Sequence, residues 1–454
     1  MIGSLMVTIP SPWNHHRLRL RPTLPLIKCE SGGVPLTKQG HRFLSSLVAN
    51  AGVNDHATAN RLIKKFVASS PKSVALNALS HLLSPRNSQP NLAALAFPLY
   101  TKISETSWYN WNPKLVADLI ALLYNHGNYN ESEGLISQAV SKLKFRERDL
   151  VQFYCNLIES CSKHESNRGF NDAYGYLSEL VGNSSSVYVK RQGYISMVGS
   201  LCEMGSPNEA VNVVEEMRKD GLKPSLFEFR SILYGYGKLG LFEDMERMVC
   251  AMEIEGFEVD TICSNMVLSS YGGFNALPNM VPWLQKMKTL QIPFSVRTYN
   301  SVLNSCPVIM SLVQGSDGFP LSLRELVEVL TEDEALLVKE LVESSSVLDE
   351  AMEWNGLEAK LDLHGMHLGS AYLIMLQWIE EMKCRFKVEE CVIPAQITIV
   401  CGSGKHSSVR GESPVKTLIR EMMVQMKSPM KIDRKNIGCF IAKGQVVRNW
   451  LYQL

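Results

Sequence analysis

The first 29 residues contain neither Asp nor Glu, although Arg17, Arg19, Arg21 and Lys28 stand there among Ser, Thr, Pro and His. The first acid is Glu30. An acid-poor, arginine-bearing start is the composition of an organelle transit peptide, and it predicts one over residues 1–29. Ile27-Lys28-Cys29 before Glu30 suits a chloroplast processing site, with mitochondrion as the alternative destination. No C-x-x-C pair occurs among the 11 cysteines. That absence removes zinc ribbons, thioredoxin-type redox chemistry and a disulfide framework. No apolar run reaches the ~18 residues that a membrane span needs. A surplus of either charge is also missing, because 46 Lys and Arg face 45 Asp and Glu. Overall charge therefore says nothing about a nucleic-acid partner, and only its distribution can.

What is present is a folded composition, 45% hydrophobic and 20% charged over 454 residues. That suits two or three domains with real cores. The middle of the chain repeats. Gly221-Leu222-Lys223-Pro224-Ser225 returns as Gly256-Phe257-Glu258-Val259-Asp260, and more weakly as Gln291-Ile292-Pro293-Phe294-Ser295. The units are 191–225, 226–260 and 261–295, with a fourth opening at Val296. Each reads as two helices with a break such as Gly237-Lys238-Leu239-Gly240 between them. One helix pair cannot bury its apolar face, whereas stacked pairs can, so the pattern predicts an α-solenoid of helix-turn-helix repeats. Less regular units fit 113–147 and 148–190, the latter with an insertion around Glu165 to Gly169. Residues 78–112 and 41–77 fit as degenerate pairs, giving a repeat region over 41–306.

Thr298-Tyr299-Asn300-Ser301-Val302-Leu303 and the run from Glu215 to Ser225 resemble the pentatricopeptide repeat of plant organelles. The tetratricopeptide repeat has a shorter period and Trp, Leu-Gly and Tyr positions that are absent here. The resemblance implies binding of single-stranded organellar RNA, one base per repeat. It implies base-edge contacts from the fifth and last residues of each unit: Ile195 with Ser225, Arg230 with Asp260, Asn265 with Ser295, and Asn300 opening the next pair. It implies base-face contacts from the second residues, Gln192, Phe227, Ile262 and Arg297. Apolar Phe227 and Ile262 suit a base face. Ile195 has no group to bond a base, and Arg230 can pair with Asp260 instead.

After Cys306 the repeat pattern stops. Residues 307–356 read as an acidic helical linker, with Glu325, Glu328, Glu332, Asp333, Glu334, Glu340 and Glu343 repelling phosphate. It is expected to be a solvated spacer or a clamp against a basic domain beyond. Residues 357–454 alternate strand and helix as a small α/β sandwich. Leu361-Asp362-Leu363-His364-Gly365-Met366 reads as a strand ending in glycine. On a strand Asp362 and His364 share a face, a carboxylate beside an imidazole that suits acid–base work on a phosphodiester. The same pair suits a divalent cation, with Mg²⁺ the candidate, and His367 is placed to assist either role. Gly402, Gly404, Lys405 and His406 lie in a glycine-rich loop between a strand and a helix, a phosphate-binding arrangement that is not a Walker loop. From Lys405 to Arg448 basic residues dominate, a local footprint for nucleic acid.

Leu361–Met366, the Gly402–Ser407 loop, Asn436-Ile437-Gly438 with Phe440-Ile441-Ala442, and Val447 with Trp450-Leu451 resemble the small MutS-related (Smr) domain of plant repeat proteins. That domain's second motif opens with Thr, where this chain has Cys401, and often carries Trp where Ser403 stands. The resemblance implies RNA endonuclease activity in some members. Three functions follow as expectations: an RNA endonuclease guided by the repeats, a non-catalytic RNA-binding or protecting factor, and a scaffold whose groove takes protein partners. The basic C-terminal surface speaks against the last.

Overall fold

The computed structural model describes residues 36–51, 56–84, 93–315, 318–344, 346–388, 392–402 and 413–453. The expected transit segment, 1–29, lies outside them. The chain first builds helix pairs: α1 (Lys38–Ala51) with α2 (His56–Ser69), α3 (Lys72–Leu82) with α4 (Ala96–Ser104), α5 (Pro113–Asn125) with α6 (Tyr129–Leu143), and α7 (Glu147–Lys163) with α8 (Asn167–Asn183). The clear repeats follow as α9 (Val187–Glu203) with α10 (Pro207–Lys219), α11 (Leu226–Leu239) with α12 (Phe242–Ile254), and α13 (Thr261–Gly273) with α14 (Leu277–Thr289). The fourth unit is a short pair, α15 (Val296–Leu303) and α16 (Pro307–Gln314), so the pattern continues for one helix past Cys306.

The 35-residue frame is written in the turns. Gly205, Gly240 and Asn275 are left-handed between the helices of a pair, and Gly221, Gly256 and Gln291 are left-handed after it. At each end a backbone bond closes the turn: Leu222, Phe257 and Ile292 N–H donate to the carbonyls of Met217, Met252 and Met287. This is the six-to-one bond of a helix C-cap. The three methionines are fully buried. Further bonds keep the same frame across units, since Arg191 donates to the Lys223 carbonyl and Thr261 to that of Pro293. The extra length of the unit before Tyr188 does not form an insertion at Glu165–Gly169. It lengthens the helices, so that α7, α8 and α9 have 17 residues each.

From α5 onward, first helices of successive pairs pack directly on one another, and the second helices lie further apart. The stack therefore curves with the first helices inside. Three further helices close its end: α17 (Leu323–Val329), α18 (Glu332–Glu343) and α19 (Ser346–Ala351). These acidic helices are not a solvated spacer; α17 and α19 touch the basic domain, where the Leu323 N–H donates to Glu380 at 3.3 Å. Helix α18 packs on α14, where Lys288 bonds Glu340 at 2.5 Å and Glu343 at 3.1 Å. Leu337, Val338 and Leu341 are buried, and the buried Glu334 accepts the Val308 N–H at 2.8 Å at the start of α16.

A five-stranded sheet follows, in order β1-β2-β3-β5-β4, with β1 (Met352–Trp354), β2 (Glu358–Asp362), β3 (Gln396–Val400), β4 (Lys431–Ile432) and β5 (Cys439–Lys443). Only β2 and β3 run parallel, joined through α20 (Leu368–Lys387). Helices α21 (Pro414–Gln425) and α22 (Gly444–Leu451) pack with α20. Ala359, Leu361, Ile397, Ile399 and Phe440 are buried on the face of the sheet toward these helices. Helix α20 is buried without a break from Gly369 to Ile379. A helix apolar all round is a core helix, and α20 lies between the sheet's other helices and the array's α15 and α16.

Candidate nucleic-acid interface

Each first helix from α5 to α15 begins on the same rim of the inner face, and its second residue is exposed. In order these residues are Lys114, Arg148, Tyr188, Phe227, Ile262 and Arg297. Phe227 is 51% and Ile262 54% exposed. Two neighbours along the stripe meet, the Arg148 guanidinium lying 5.2 Å from the centroid of the Tyr188 ring. Gln192, the second residue by the 35-residue frame, is half-buried inside the lengthened α9. Tyr188, one turn earlier, takes the exposed place. The signal was in the sequence: an aromatic two residues after Ser186, which caps α9 as Ser225 caps α11.

The fifth and last residues meet in two of the units, Arg230 with Asp260 and Asn265 with Ser295. Ser225, Asp260 and Ser295 are also the N-caps of the next first helices. Arg230 donates to Asp260 at 2.5 Å, and its Nε lies 3.3 Å from the Cys263 sulfur. Burial works against both charges. The Cys263 N–H and thiol and the Arg230 guanidinium outweigh it for Asp260, whose pKa falls, and Cys263 and Asp260 raise that of Arg230. Asn265 is buried, donating to Ser295 Oγ at 3.2 Å and accepting from Thr298 Oγ1 at 2.8 Å. The Ser225 hydroxyl donates to Glu228 at 2.5 Å in a capping box, and Ile195 is half-buried. These pairs are thus satisfied within the protein, and an incoming base edge has to displace a partner. Asn300 is held differently: its Nδ2 bonds the Gly365 carbonyl and its Oδ1 the His367 N–H, both across the junction to the C-terminal domain.

In that domain the strand reading of Leu361–Met366 needs correction. Strand β2 ends at Asp362, and His364-Gly365 form a turn with Gly365 left-handed. The Asp362 carboxylate accepts the His364 backbone N–H at 2.9 Å, the local bond by which Asp opens turns. It therefore orients the turn, and the exposed His364 ring is not its partner. His367 stands at the N-terminal boundary of α20 without a capping bond from its side chain and faces the array, where its Nδ1 lies 2.5 Å from Asn304 Nδ2. Burial lowers its pKa, which favours the neutral ring. Parallel pairing puts Asp362 beside Val400, so the two motifs leave adjacent strands at the same edge. Gly402 is left-handed there and Ser413 caps α21; Gly404, Lys405 and His406 lie outside the described residues. Burial pushes the Cys401 thiol up to about 12, so it stays protonated at neutral pH. Among the described residues no group of three or more His, Cys, Asp or Glu converges on a metal position. Among the described residues Asp362 and Asp433 are the carboxylates that act on Cys439 at this edge, too few ligands for more than a Mg²⁺ held largely by water and phosphate. Eight cations lie between Ser413 and Gln453 against Glu421 and Asp433. None makes an ion pair among the described residues, whereas the array's cations repeatedly do.

Fold and inner stripe together define a helical-repeat protein whose first helices from α5 to α15 each present an exposed second residue. The model of the pentatricopeptide repeat domain matches residues 188–239. The Arabidopsis thaliana pentatricopeptide repeat-containing protein At2g17033 is 59% identical over 429 residues, 94% of this chain and 85% of that protein. A second Arabidopsis thaliana relative, At3g53170, is 22% identical over 256 residues, 56% of this chain and 54% of its own length. The chain belongs to the pentatricopeptide repeat family. A solved structure, the pentatricopeptide repeat protein PPR10 in complex with an 18-nt psaJ RNA element, aligns at 14% identity with a TM-score of 0.26, over 68% of this chain and 57% of that one.

Proposed function

We propose that this protein binds single-stranded RNA in plastids through the inner stripe of its array and acts in organellar RNA processing or stability. The observation that carries the reading is the run Lys114, Arg148, Tyr188, Phe227, Ile262, Arg297, exposed on one rim. Aromatic and aliphatic faces stack bases, flanking cations meet phosphates, and neither requires a particular base. The cations of the C-terminal domain, which make no ion pair among the described residues, add positive surface. Membership of the family and the acid-poor first 29 residues support organellar RNA as the partner. Gel-shift titration tests the reading. Binding to single strands over duplex is expected, with log K falling by ~0.7 per phosphate contact for each unit of log salt. Equal affinity for duplex and single strand overturns it. Import of a fluorescent fusion carrying the first 29 residues checks the plastid assignment.

A second reading has one specific observation in its favour. Asp362 and the glycine-rich loop leave parallel neighbouring strands at one edge, the place where open α/β sheets bind ligands. The C-terminal domain, which resembles the Smr domain, then acts as an RNA endonuclease, with His364 the exposed acid–base group and Asp362 holding its turn. Discrete RNA fragments that vanish in Asp362→Asn/His364→Ala support it. Fragments equal in both proteins, or none, leave the domain as a phosphate clamp.

A further inference from the structure

The side chain of Asn300 is committed at both ends. Its Nδ2 donates to the Gly365 carbonyl at 3.1 Å, and its Oδ1 accepts the His367 N–H at 2.9 Å. One helical turn on, Asn304 Nδ2 meets His367 Nδ1 at 2.5 Å. Two amides four residues apart, one on α15 and one at its C-cap, thus make three contacts with Gly365 and His367 in the turn that follows Asp362. A primary amide that donates and accepts toward one short backbone segment fixes both its position and its rotation.

The helix that follows the turn is packed closely on the array. Gly369 lies so close to α15 that a Cβ built on it would sit 3.1 Å from the Leu303 Cβ. The Tyr299 hydroxyl donates to the Leu341 carbonyl at 2.7 Å, tying α15 to α18. In the preceding units the matching side chains, Arg230 and Asn265, bond within the array instead.

We infer that Asn300 and Asn304 are junction residues that pin the His364-bearing turn to the end of the array, so that a strand passes from Ile262 and Arg297 to His364 in one fixed register. The RNA part of this inference rests on the proposed function; the junction part does not. The fifth position of α15 is closed to a base, and base-edge contact by the array ends with unit 261–295. Asn300 is a positioning residue.

Hydrogen exchange on the full chain, without ligand, tests the junction. Asn300→Ala/Asn304→Ala is expected to speed exchange of residues 363–368 by about tenfold or more, as loss of two or three hydrogen bonds implies. Asn300→Asp keeps the acceptor for His367 and should fall between the two. Unchanged exchange in both variants overturns the junction. Anisotropy with short oligouridylate and oligoadenylate tests the closed position: the ratio of the two affinities should be the same in wild type, Asn300→Ala and Asn300→Asp. A changed ratio with unaltered exchange makes Asn300 a base reader and overturns the inference. If wild type binds neither oligonucleotide, the register falls together with the proposed function, and exchange alone decides the junction.

Discussion

Phe227 and Ile262 each leave half of their surface in water while the helices that carry them are well packed behind. Truncating such a side chain removes little from the core, so its effect reads on ligand alone. Phe227→Ala is expected to leave the melting temperature unchanged and to weaken RNA binding by ~1–3 kcal/mol, the range for one base–aromatic stack. Anisotropy beside a thermal melt checks both halves. Arg230→Ala should cost folding stability no more than ~1 kcal/mol, because its partner Asp260 is 44% exposed. Phe227, Ile262 and the pairing of Arg230 with Asp260 were legible from the 35-residue frame, since each lies a fixed step from its turn. Tyr188 was not, because α9 carries an extra turn and the frame points to Gln192. The commitment of Asn300 was not legible either, because its partners lie 65 and 67 residues away.

At the scale of elements, turn chemistry decides. Gln291 occupies the left-handed place that Gly221 and Gly256 fill in the neighbouring units. Left-handed backbone costs a residue with a Cβ about 1 kcal/mol, so Gln291→Gly should raise stability by roughly that amount in urea unfolding. Glu334 seals the start of α16 from inside the core, and burial raises its pKa above 4.5. The folded state therefore holds the proton more tightly than the unfolded chain does. Stability is helped by this group below its ordinary pKa and loses that help as pH rises through the raised folded value. Glu334→Gln should flatten that part of the stability profile; an unchanged slope between wild type and variant counts against the assignment. The helix pairs were readable because glycine and apolar spacing repeat. Strands β1 and β4, three and two residues long, were not, since so short a run carries no alternation. The end of β2 was misjudged because Asp362 bonds the next turn instead of extending the ladder.

At the scale of the molecule, the array and the sheet domain share α20, which is buried toward both. The acidic helices add a seal through Lys288, Glu340 and Glu343. The sequence pattern suggested two bodies joined by a solvated spacer or a clamp, because acids look solvated until their partners are known. The structure joins them, so scanning calorimetry is expected to show the sheet domain and the last repeats melting in one transition, and separate transitions would speak against a shared core. The central claim is that the inner stripe binds single-stranded RNA. The most direct measurement is the affinity of wild type and of Tyr188→Ala/Phe227→Ala/Ile262→Ala for a short oligouridylate, with circular dichroism as the folding control. The account predicts binding by the wild type and a loss of at least about tenfold in a triple variant that stays fully folded. Equal affinity in the folded triple variant would contradict it.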